Sequence, residues 1–475
     1  MSSPIDPLLA AYEPEAFRAQ GHRLIDALAD YLGATMRGEG PVLPDAPPER
    51  TVAAYNQGFP TKPTGEDLVQ LVTRVLAQSN HLHHPRYMGH QVSTPLPMAA
   101  LCDMVAALAN NGMAVYEMGP AATGMESAVV GWMAERLGLD PARAGGILTS
   151  GGSVGNLTAL LAMRQARAGH DVWEQGAGPK LGVLVSDQAH YSVARAIRIM
   201  GWGADGIVPV ATDARFRMRA DELGGALAKA RERGIQVIGV ISSSCGTSLG
   251  AFDPLEAIAD FCEQHELWLH VDGAHGAAAV LTPKYASLLR GCERADSVVW
   301  DAHKMLCMPA LVTAVIYRDG GHANQAFAQQ AAYLFGKNVH DSGLRTLECT
   351  KRMMSLKVYA TLRALGTDAI GAYVERMFDM GKRLGRLIAE RPALELAVDP
   401  DCNIVCFRAR REGVGGPELD AIQTRVRAQV VESGEFYIVQ TKLPAGAFLR
   451  VTLVNPLTSE ADLTRLLDRV EALAG

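Results

Sequence analysis

The sequence lacks the features that would assign it to a nucleic-acid-binding, secreted or membrane class. Its 475 residues carry 45 basic and 51 acidic side chains, a net charge of −6, and the two signs are interspersed without a basic run. Residues 1 to 6 contain neither the basic start nor the apolar core of a signal peptide. No uncharged apolar stretch is long enough to cross a bilayer. We therefore expect a cytoplasmic protein that binds neither nucleic acid nor membrane.

The sequence also lacks the spacings that are typical of metal or redox sites. None of its eight cysteines forms a CxxC pair, so we expect reduced thiols in the core rather than a zinc or disulfide framework. Four histidines lie close together, but no further ligands follow at a suitable spacing, so we expect them to line a site without metal. These histidines are His81, His83, His84 and His90.

An amphipathic helix is predicted near the N-terminus, over residues 14–35. Phe17, Leu24, Leu28 and Leu32 recur with the spacing of one helical face. A proline-rich segment then separates this helix from the rest of the chain. Since a single helix cannot bury such a face by itself, it packs either on a second subunit or back on its own chain.

Residues 125–320 alternate between short apolar runs and helical patterns. This alternation predicts an α/β domain, in which helices cover both faces of a mostly parallel sheet. Beyond residue 350, helical and strand-like patterns predict a smaller α+β domain. The predicted parts are an N-terminal helical segment (1–80), a large α/β domain (81–350) and a small C-terminal domain (351–475).

Two chemically complementary residues follow predicted strands, which is where ligands bind in parallel sheets. Lys304 comes soon after the apolar run 298–300, and Asp272 ends the run 267–271. A lysine amine condenses with an aldehyde, and a neighbouring acid keeps a pyridine nitrogen protonated, so the pair predicts pyridoxal 5'-phosphate (PLP). Taken singly, a surface lysine and a helix-capping or ion-paired acid are the commoner explanations.

Three further strand ends carry groups that suit such a cofactor. The turn at Gly152 and Ser153 joins a strand to a helix, where N–H groups and the helix dipole favour a phosphate, although an ordinary turn has the same pattern. The GxGxxG spacing of a dinucleotide site is absent. His190 is suited to lie on a planar ring or to shuttle protons as a catalytic residue, or else to cap the following helix. Thr247 is suited to donate to a cofactor oxygen.

Several motifs, in order along the chain, resemble those of the group II PLP-dependent decarboxylases. This family has fold type I and includes glutamate, cysteine-sulfinate, aromatic-amino-acid, histidine and diaminobutyrate decarboxylases. The resemblance implies the PLP-dependent transferase fold and a homodimer with its active site at the subunit interface. The motifs that carry it are Phe17 to Tyr31, His84 to Tyr87, Met125-Glu126, Ser186 to Arg195, Gly246-Thr247, 268–276, 295–305, Asp341 to Leu344, Ser355 to Lys357 and Phe448 to Val451.

The resemblance also implies roles for individual residues. Lys304 would form the Schiff base, Asp272 would pair with the pyridinium nitrogen, and Ala274 and His190 would lie on opposite faces of the ring. The phosphate would be contacted by Gly152, Ser153 and His303, and the ring hydroxyl by Thr247. The substrate would be contacted by Gln91 and Arg450. For Arg450 an ion pair between domains is an equally good explanation.

The sequence departs from the family pattern at Asp301 and leaves one role open in the loop before Asp341. Asp301 stands where many family members have asparagine, and an acid near a phosphate is unfavourable unless it faces away or is hydrogen-bonded, so we leave Asp301 out of the phosphate contacts. In the loop before Asp341, family members carry a tyrosine that protonates the substrate carbon after CO2 leaves. Tyr333 and His340 are the two candidates for this role here.

The expected reaction is the decarboxylation of an L-amino acid to the amine and CO2. Transamination and decarboxylation coupled to oxidative deamination are alternatives on the same fold. A PLP-binding protein without turnover and a nucleotide-dependent dehydrogenase are less well supported, because the lysine, acid and histidine are all present and the dinucleotide motif is absent. Gln91 and Arg450 favour an acidic or short polar substrate, with diaminobutyrate and aromatic substrates left open.

Overall fold

The computed structural model of the protein describes residues 3, 5–176, 178–327 and 340–475. The chain forms two compact units. The larger unit comprises Gln91–Arg386 and Leu396–Cys406, and the smaller comprises Met1–His90, Leu387–Glu395 and Phe407–Gly475. The N-terminal segment and most of the C-terminal region thus belong to one unit, and the three-domain division stays a prediction.

Helices make up much of both units, and several begin for a recognisable local reason. Proline occupies the first turn of five of the longer ones, where its missing N–H leaves no hydrogen bond unmade. The helices are α1 (Asp6–Ala10), α2 (Pro14–Met36), α3 (Pro48–Tyr55), α4 (Leu68–Ala77), α5 (Pro97–Ala109), α6 (Pro120–Arg136), α7 (Gly152–Arg167), α8 (Val172–Gln175), α9 (Tyr191–Ile199), α10 (Leu223–Glu232), α11 (Leu255–Gln264), α12 (Ala302–Met305), α13 (Gly321–Phe327), α14 (Ser355–Leu365), α15 (Thr367–Ala389), α16 (Gly416–Glu432) and α17 (Glu460–Ala474).

The predicted N-terminal helix is confirmed as α2. It lies against α4 of the same unit, and Leu24, Leu28 and Leu32 are half-buried there, whereas Phe17 is 54% exposed. The apolar face is therefore only partly covered by its own chain. No helix in the described part of the chain is both long and apolar enough to span a membrane.

The strands form one sheet of seven and one of four. The larger sheet has the order β1-β7-β6-β5-β4-β2-β3, and the smaller the order β10-β11-β9-β8. The strands are β1 (Gly145–Thr149), β2 (Leu181–Ser186), β3 (Ile207–Val210), β4 (Gln236–Ser243), β5 (Trp268–Asp272), β6 (Ser297–Asp301), β7 (Thr313–Tyr317), β8 (Leu394–Leu396), β9 (Ile404–Ala409), β10 (Val439–Leu443) and β11 (Gly446–Thr452).

The seven-stranded sheet is mostly parallel, as predicted. Strands β3, β2, β4, β5 and β6 pair in parallel, and β7 runs antiparallel to both of its neighbours, β6 and β1. Strand β1 therefore has the same direction as the parallel strands. The carboxyl ends of six strands consequently meet at one edge, where ligands bind in sheets of this kind.

Edge strand β1 is fixed by a buried ion pair. Lys351 and Glu126 are in contact, and both are buried. Glu126 Oε1 accepts from the Leu148 amide at 3.3 Å, and Lys351 Nζ donates to the Leu148 carbonyl oxygen at 2.7 Å. The backbone groups that a sheet edge would leave unpaired are thus satisfied by side chains, one residue before the strand ends at Thr149.

Candidate active site

A cavity of about 310 Å³ lies beyond the carboxyl ends of the strands in the larger unit. Each of β1, β2, β4, β5 and β6 contributes residues at or just after its end. All eight predicted cofactor residues and Gln91 line this cavity. The lining residues are Gln91, Ser150, Gly151, Gly152, Ser153, Val154, Asn156, His190, Ser243, Cys245, Gly246, Thr247, Asp272, Ala274, His275, Asp301, His303, Lys304 and Leu311.

Three other predicted site residues lie elsewhere in the chain. Arg450 is a buried residue of β11 in the smaller unit. Tyr333 lies outside the described residues. His340 is exposed, with its ring centroid 6.1 Å from that of Tyr116, and it is not one of the described residues that line the cavity. The roles of these three residues stay predictions.

The turn after β1 is suited to hold a phosphate. Gly151 has φ +118°, a conformation that favours glycine, and helix α7 begins at the next residue without a capping side chain. The first N–H groups of α7 therefore donate to no capping side chain and remain available as donors. They lie at the positive end of the dipole of this helix of 16 residues. Backbone donors, the Ser153 hydroxyl and His303 together line this part of the cavity.

The carboxylate of Asp272 is held by two donors. Asn156 Nδ2 donates to Oδ2 at 3.0 Å, and the Ala274 amide donates to Oδ1 at 3.2 Å. The side chain is buried at the last position of β5 and still lines the cavity. An oriented carboxylate of this kind is what a protonated pyridine nitrogen requires.

A directional chain of hydrogen bonds fixes Asn156 in turn. Ser297 Oγ accepts from the Trp268 indole at 2.8 Å and lies 2.8 Å from His270 Nδ1. Because the Asp272 carboxylate can only accept, Asn156 Nδ2 faces it and Asn156 Oδ1 faces His270 Nε2. His270 Nε2–H then donates to Asn156 Oδ1 at 3.0 Å, which directs both amide hydrogens of Asn156 away from it. Burial lowers the pKa of His270 to about 4, against the opposing effect of the Asp272 carboxylate, so the ring is neutral near pH 7.

The second amide hydrogen of Asn156 leads to His190. Asn156 Nδ2 donates to Ser192 Oγ at 2.9 Å, and the Ser192 hydroxyl lies 2.8 Å from His190 Nδ1. Burial lowers the pKa of His190 from its usual 6.5, with the Asp272 charge opposing this effect. His190 also caps α9 through the Ser192 amide, which confirms the predicted cap, and it lines the cavity, while its place on the cofactor ring stays a prediction.

Lys304 and Asp301 form an ion pair in the wall of the cavity. Lys304 lies in α12, directly after β6, and its Nζ is 3.1 Å from Asp301 Oδ2. Asp301 Oδ1 accepts from Thr313 Oγ1 at 2.6 Å, and His303 Nε2 lies 3.5 Å from Oδ2. Asp301 thus lies in the cavity wall and does not face away, and it is hydrogen-bonded as the sequence argument required.

This set of groups fits PLP. The phosphate turn, the oriented acid, the lysine amine, the His190 ring and Ala274 line one cavity, so each part of the cofactor has a suitable neighbour. A metal site has no comparable support, because the described residues contain no group of three or more His, Cys, Asp or Glu placed to hold an ion.

Sequence reasoning gave no role to three residues that position these groups. His270 was detectable, because it is a polar residue in an apolar strand, two positions before Asp272 and therefore on the same face. Asn156 and Ser192 lie in helices near their N-termini, where polar residues are common. Their contacts join residues that are 36 to 116 positions apart, and no local pattern reports such contacts.

Comparison with known proteins agrees with this geometry. A family model described as the pyridoxal-dependent decarboxylase conserved domain matches residues 48–410. An acidic amino acid decarboxylase of Mus musculus is 32% identical over 433 residues, which cover 86% of this chain and 78% of the relative. A cysteine sulfinic acid decarboxylase of Homo sapiens is 30% identical over 436 residues, covering 86% of each.

Solved structures are similar over almost their full length. Mouse CSAD in its apo form has a TM-score of 0.91 at 27% identity, covering 97% of this chain and 99% of that one. Oryza sativa TDC with PLP and tryptamine has a TM-score of 0.90 at 24% identity, covering 98% of each chain, and this second likeness is one of fold. Both likenesses agree with an α/β fold of type I.

Proposed function

The chain belongs to the pyridoxal-dependent decarboxylase family, and we propose that its substrate is an acidic L-amino acid. It is a PLP-dependent carboxy-lyase that converts an amino acid to its amine and CO2. The relatives favour decarboxylation over the transamination and oxidative deamination that the sequence left open. The structural observation that supports an acidic substrate is Gln91, a neutral hydrogen-bonding side chain in the cavity wall.

We propose that different side chains of the cavity have different roles in the reaction. PLP, when bound, supplies a protonated ring that accepts the electron pair released as the bond from Cα to the carboxylate breaks. We propose that Asp272 keeps the ring nitrogen protonated and that His190 and Ala274 hold the ring from its two faces. Lys304 would hold the aldehyde carbon of the cofactor through its amine, and Gly152, Ser153, His303 and Thr247 would hold the phosphate and the ring hydroxyl.

Gln91 is suited to recognise the side-chain acid of the substrate. Its amide can donate to a carboxylate or sulfinate oxygen, and it is 9% exposed, so such a bond would form largely out of water. Two relatives whose names specify acidic amino acid and cysteine sulfinic acid decarboxylation give the same substrate class. Arg450 stays the second proposed ligand of the substrate.

The substrate assignment is tested by a panel of amino acids and one variant of equal size. We expect CO2 and amine from L-aspartate, L-glutamate or L-cysteine sulfinate, and much less from L-tryptophan or L-2,4-diaminobutyrate. Gln91→Glu places a like charge against an acidic side chain and should raise the KM for it about tenfold or more, while kcat changes less. Preferred turnover of tryptophan or diaminobutyrate, or an unchanged KM in Gln91→Glu, would contradict the proposal.

We further propose that the protein is a homodimer with its active site at the subunit interface. Helix α5 presents an apolar stripe with helical spacing, Leu101, Met104, Val105 and Leu108, whose exposure ranges from 47% to 71%. A stripe of this kind on the surface of one chain is typical of a subunit contact. A second copy is the partner that the fold type favours.

Leu108→Asp should convert the dimer to a monomer. Placing a charge in an apolar contact is unfavourable, so sedimentation should show the 50.8 kDa chain instead of twice that mass, and activity should be lost with it. Ile199→Asp, at an equally exposed apolar residue of α9, is the matched control and should stay dimeric. A wild-type monomer that is fully active would exclude the interface proposal.

A further inference from the structure

A buried carboxylate lies in the part of the cavity that suits a phosphate. Asp301 is only 2% exposed and ends strand β6. A Cβ atom added to Gly152 would lie 3.1 Å from its Oδ2 and 3.2 Å from its Oδ1. The carboxylate therefore lies against the first residue of α7, whose N–H groups are the best anion donors of the cavity. An anion bound there would have a like charge as its neighbour.

The charges around Asp301 are balanced without a cofactor. Lys304 Nζ is 3.1 Å from Oδ2, and Thr313 Oγ1 donates to Oδ1 at 2.6 Å, which fixes the carboxylate in this orientation. When the Lys304 amine condenses with an aldehyde, water leaves and the nitrogen is no longer an ammonium group, so Asp301 would lose this cation. The phosphate adds negative charge at the same time, in a buried place where water screens charges poorly.

We propose that Asp301 sets the cofactor affinity of this enzyme by repelling the phosphate group and by pairing with Lys304 when the cofactor is absent. This inference rests on the proposed positions of Lys304 and of the phosphate. Asp301 stabilises the cofactor-free protein and opposes the loaded one. The enzyme thus releases PLP more readily than its phosphate turn alone would allow, and occupancy follows the supply of PLP.

The substitution Asp301→Asn removes the negative charge of this side chain and leaves its shape nearly unchanged. Asparagine has nearly the same size, retains Oδ1 as the acceptor for Thr313, and replaces Oδ2 by an amide that donates. The repulsion becomes an attraction, so the dissociation constant of PLP should fall by about tenfold or more, a change of about 1.4 kcal/mol. The constant is measured on cofactor-stripped protein by titration with PLP, following tryptophan fluorescence and cofactor absorbance.

Pyridoxal, which lacks the phosphate, distinguishes the two effects of the carboxylate. If Asp301 repels the phosphate, Asp301→Asn tightens PLP much more than pyridoxal, and inorganic phosphate protects the variant from PLP at lower concentration than it protects wild type. Asp187→Asn, which removes an exposed acid after β2 at the same sheet edge, is the matched control and should leave all three affinities unchanged.

Two results would overturn the inference. One is an unchanged or weakened PLP affinity in an Asp301→Asn protein whose circular dichroism and melting temperature match wild type. The other is an equal gain for PLP and pyridoxal, which would show that Asp301 does not repel the phosphate. A wild-type protein that binds no PLP at all would instead contradict the proposed function, so the two failures are distinguishable.

Discussion

Lys304→Ala is expected to reduce decarboxylation to less than about one thousandth of the wild-type rate. The amine of Lys304 is the covalent attachment point that we propose for the cofactor, and alanine has no group that can replace it. Among the described residues of the larger unit, the buried lysines Lys351 and Lys357 do not substitute for it, because they are held in ion pairs with Glu126 and Asp103. Some PLP should still bind, since the phosphate turn and Asp272 are intact.

Reduction with borohydride distinguishes the loss of the covalent link between Lys304 and PLP from a general loss of structure. Borohydride treatment of the wild-type protein with PLP should leave a pyridoxyl group on the peptide that contains Lys304, measured by mass spectrometry. The same treatment of Lys304→Ala should leave none there. Lys284→Ala, which removes an exposed lysine paired with Asp379, is the control and should be labelled and active like wild type. A label on another lysine of the wild-type protein would disprove the assignment.

Asp272→Asn should reduce kcat by about a hundredfold to a thousandfold. The carboxylate is the charge that we propose to hold the ring nitrogen protonated, and an amide cannot do so. The substitution also breaks local bonds, because both oxygens of Asp272 accept, one from Asn156 and one from the Ala274 amide, while asparagine offers a single acceptor oxygen. The loss should therefore appear in kcat and in cofactor affinity together.

Asp272→Glu provides the comparison for charge. It keeps the carboxylate on a longer side chain, so it should retain more activity than the amide although its fit against Asn156 is worse. Steady-state rates of CO2 release, with PLP saturating, give the two kcat values. If Asp272→Asn retained more than a tenth of the wild-type kcat, the carboxylate would not have the proposed role.

The strands and their ligand-bearing ends were predictable, because each buried strand is a short apolar run and polar residues follow where it ends. Asp272, at the end of β5, and Lys304, just after β6, illustrate this. The direction of β7 was not predictable, since a fully buried run reads the same in a parallel or an antiparallel strand. In the sheet, β7 lies between β6 and the edge strand β1 and runs antiparallel to both.

Residues that act through other residues were the hardest to predict. Asn156 connects His270, Asp272 and Ser192, but its importance depends on contacts that form only after the sheet has assembled. Asp301 was recognised as a poor neighbour for a phosphate, yet sequence alone could not say whether its side chain points into the cavity. Side-chain direction at the end of a strand depends on tertiary packing, here on the hydrogen bond from Thr313.

The strand order also dictates when, during synthesis on the ribosome, the cofactor can first be captured. Thr149, which precedes the phosphate turn, pairs with Thr313, 164 residues later. At typical rates of translation that interval lasts roughly 8 to 33 seconds. A nascent chain that ends between residues 304 and 313 already contains Asp272 and Lys304, but its phosphate turn follows a strand without a partner. Newly made protein should therefore fold its sheet first and acquire PLP afterwards.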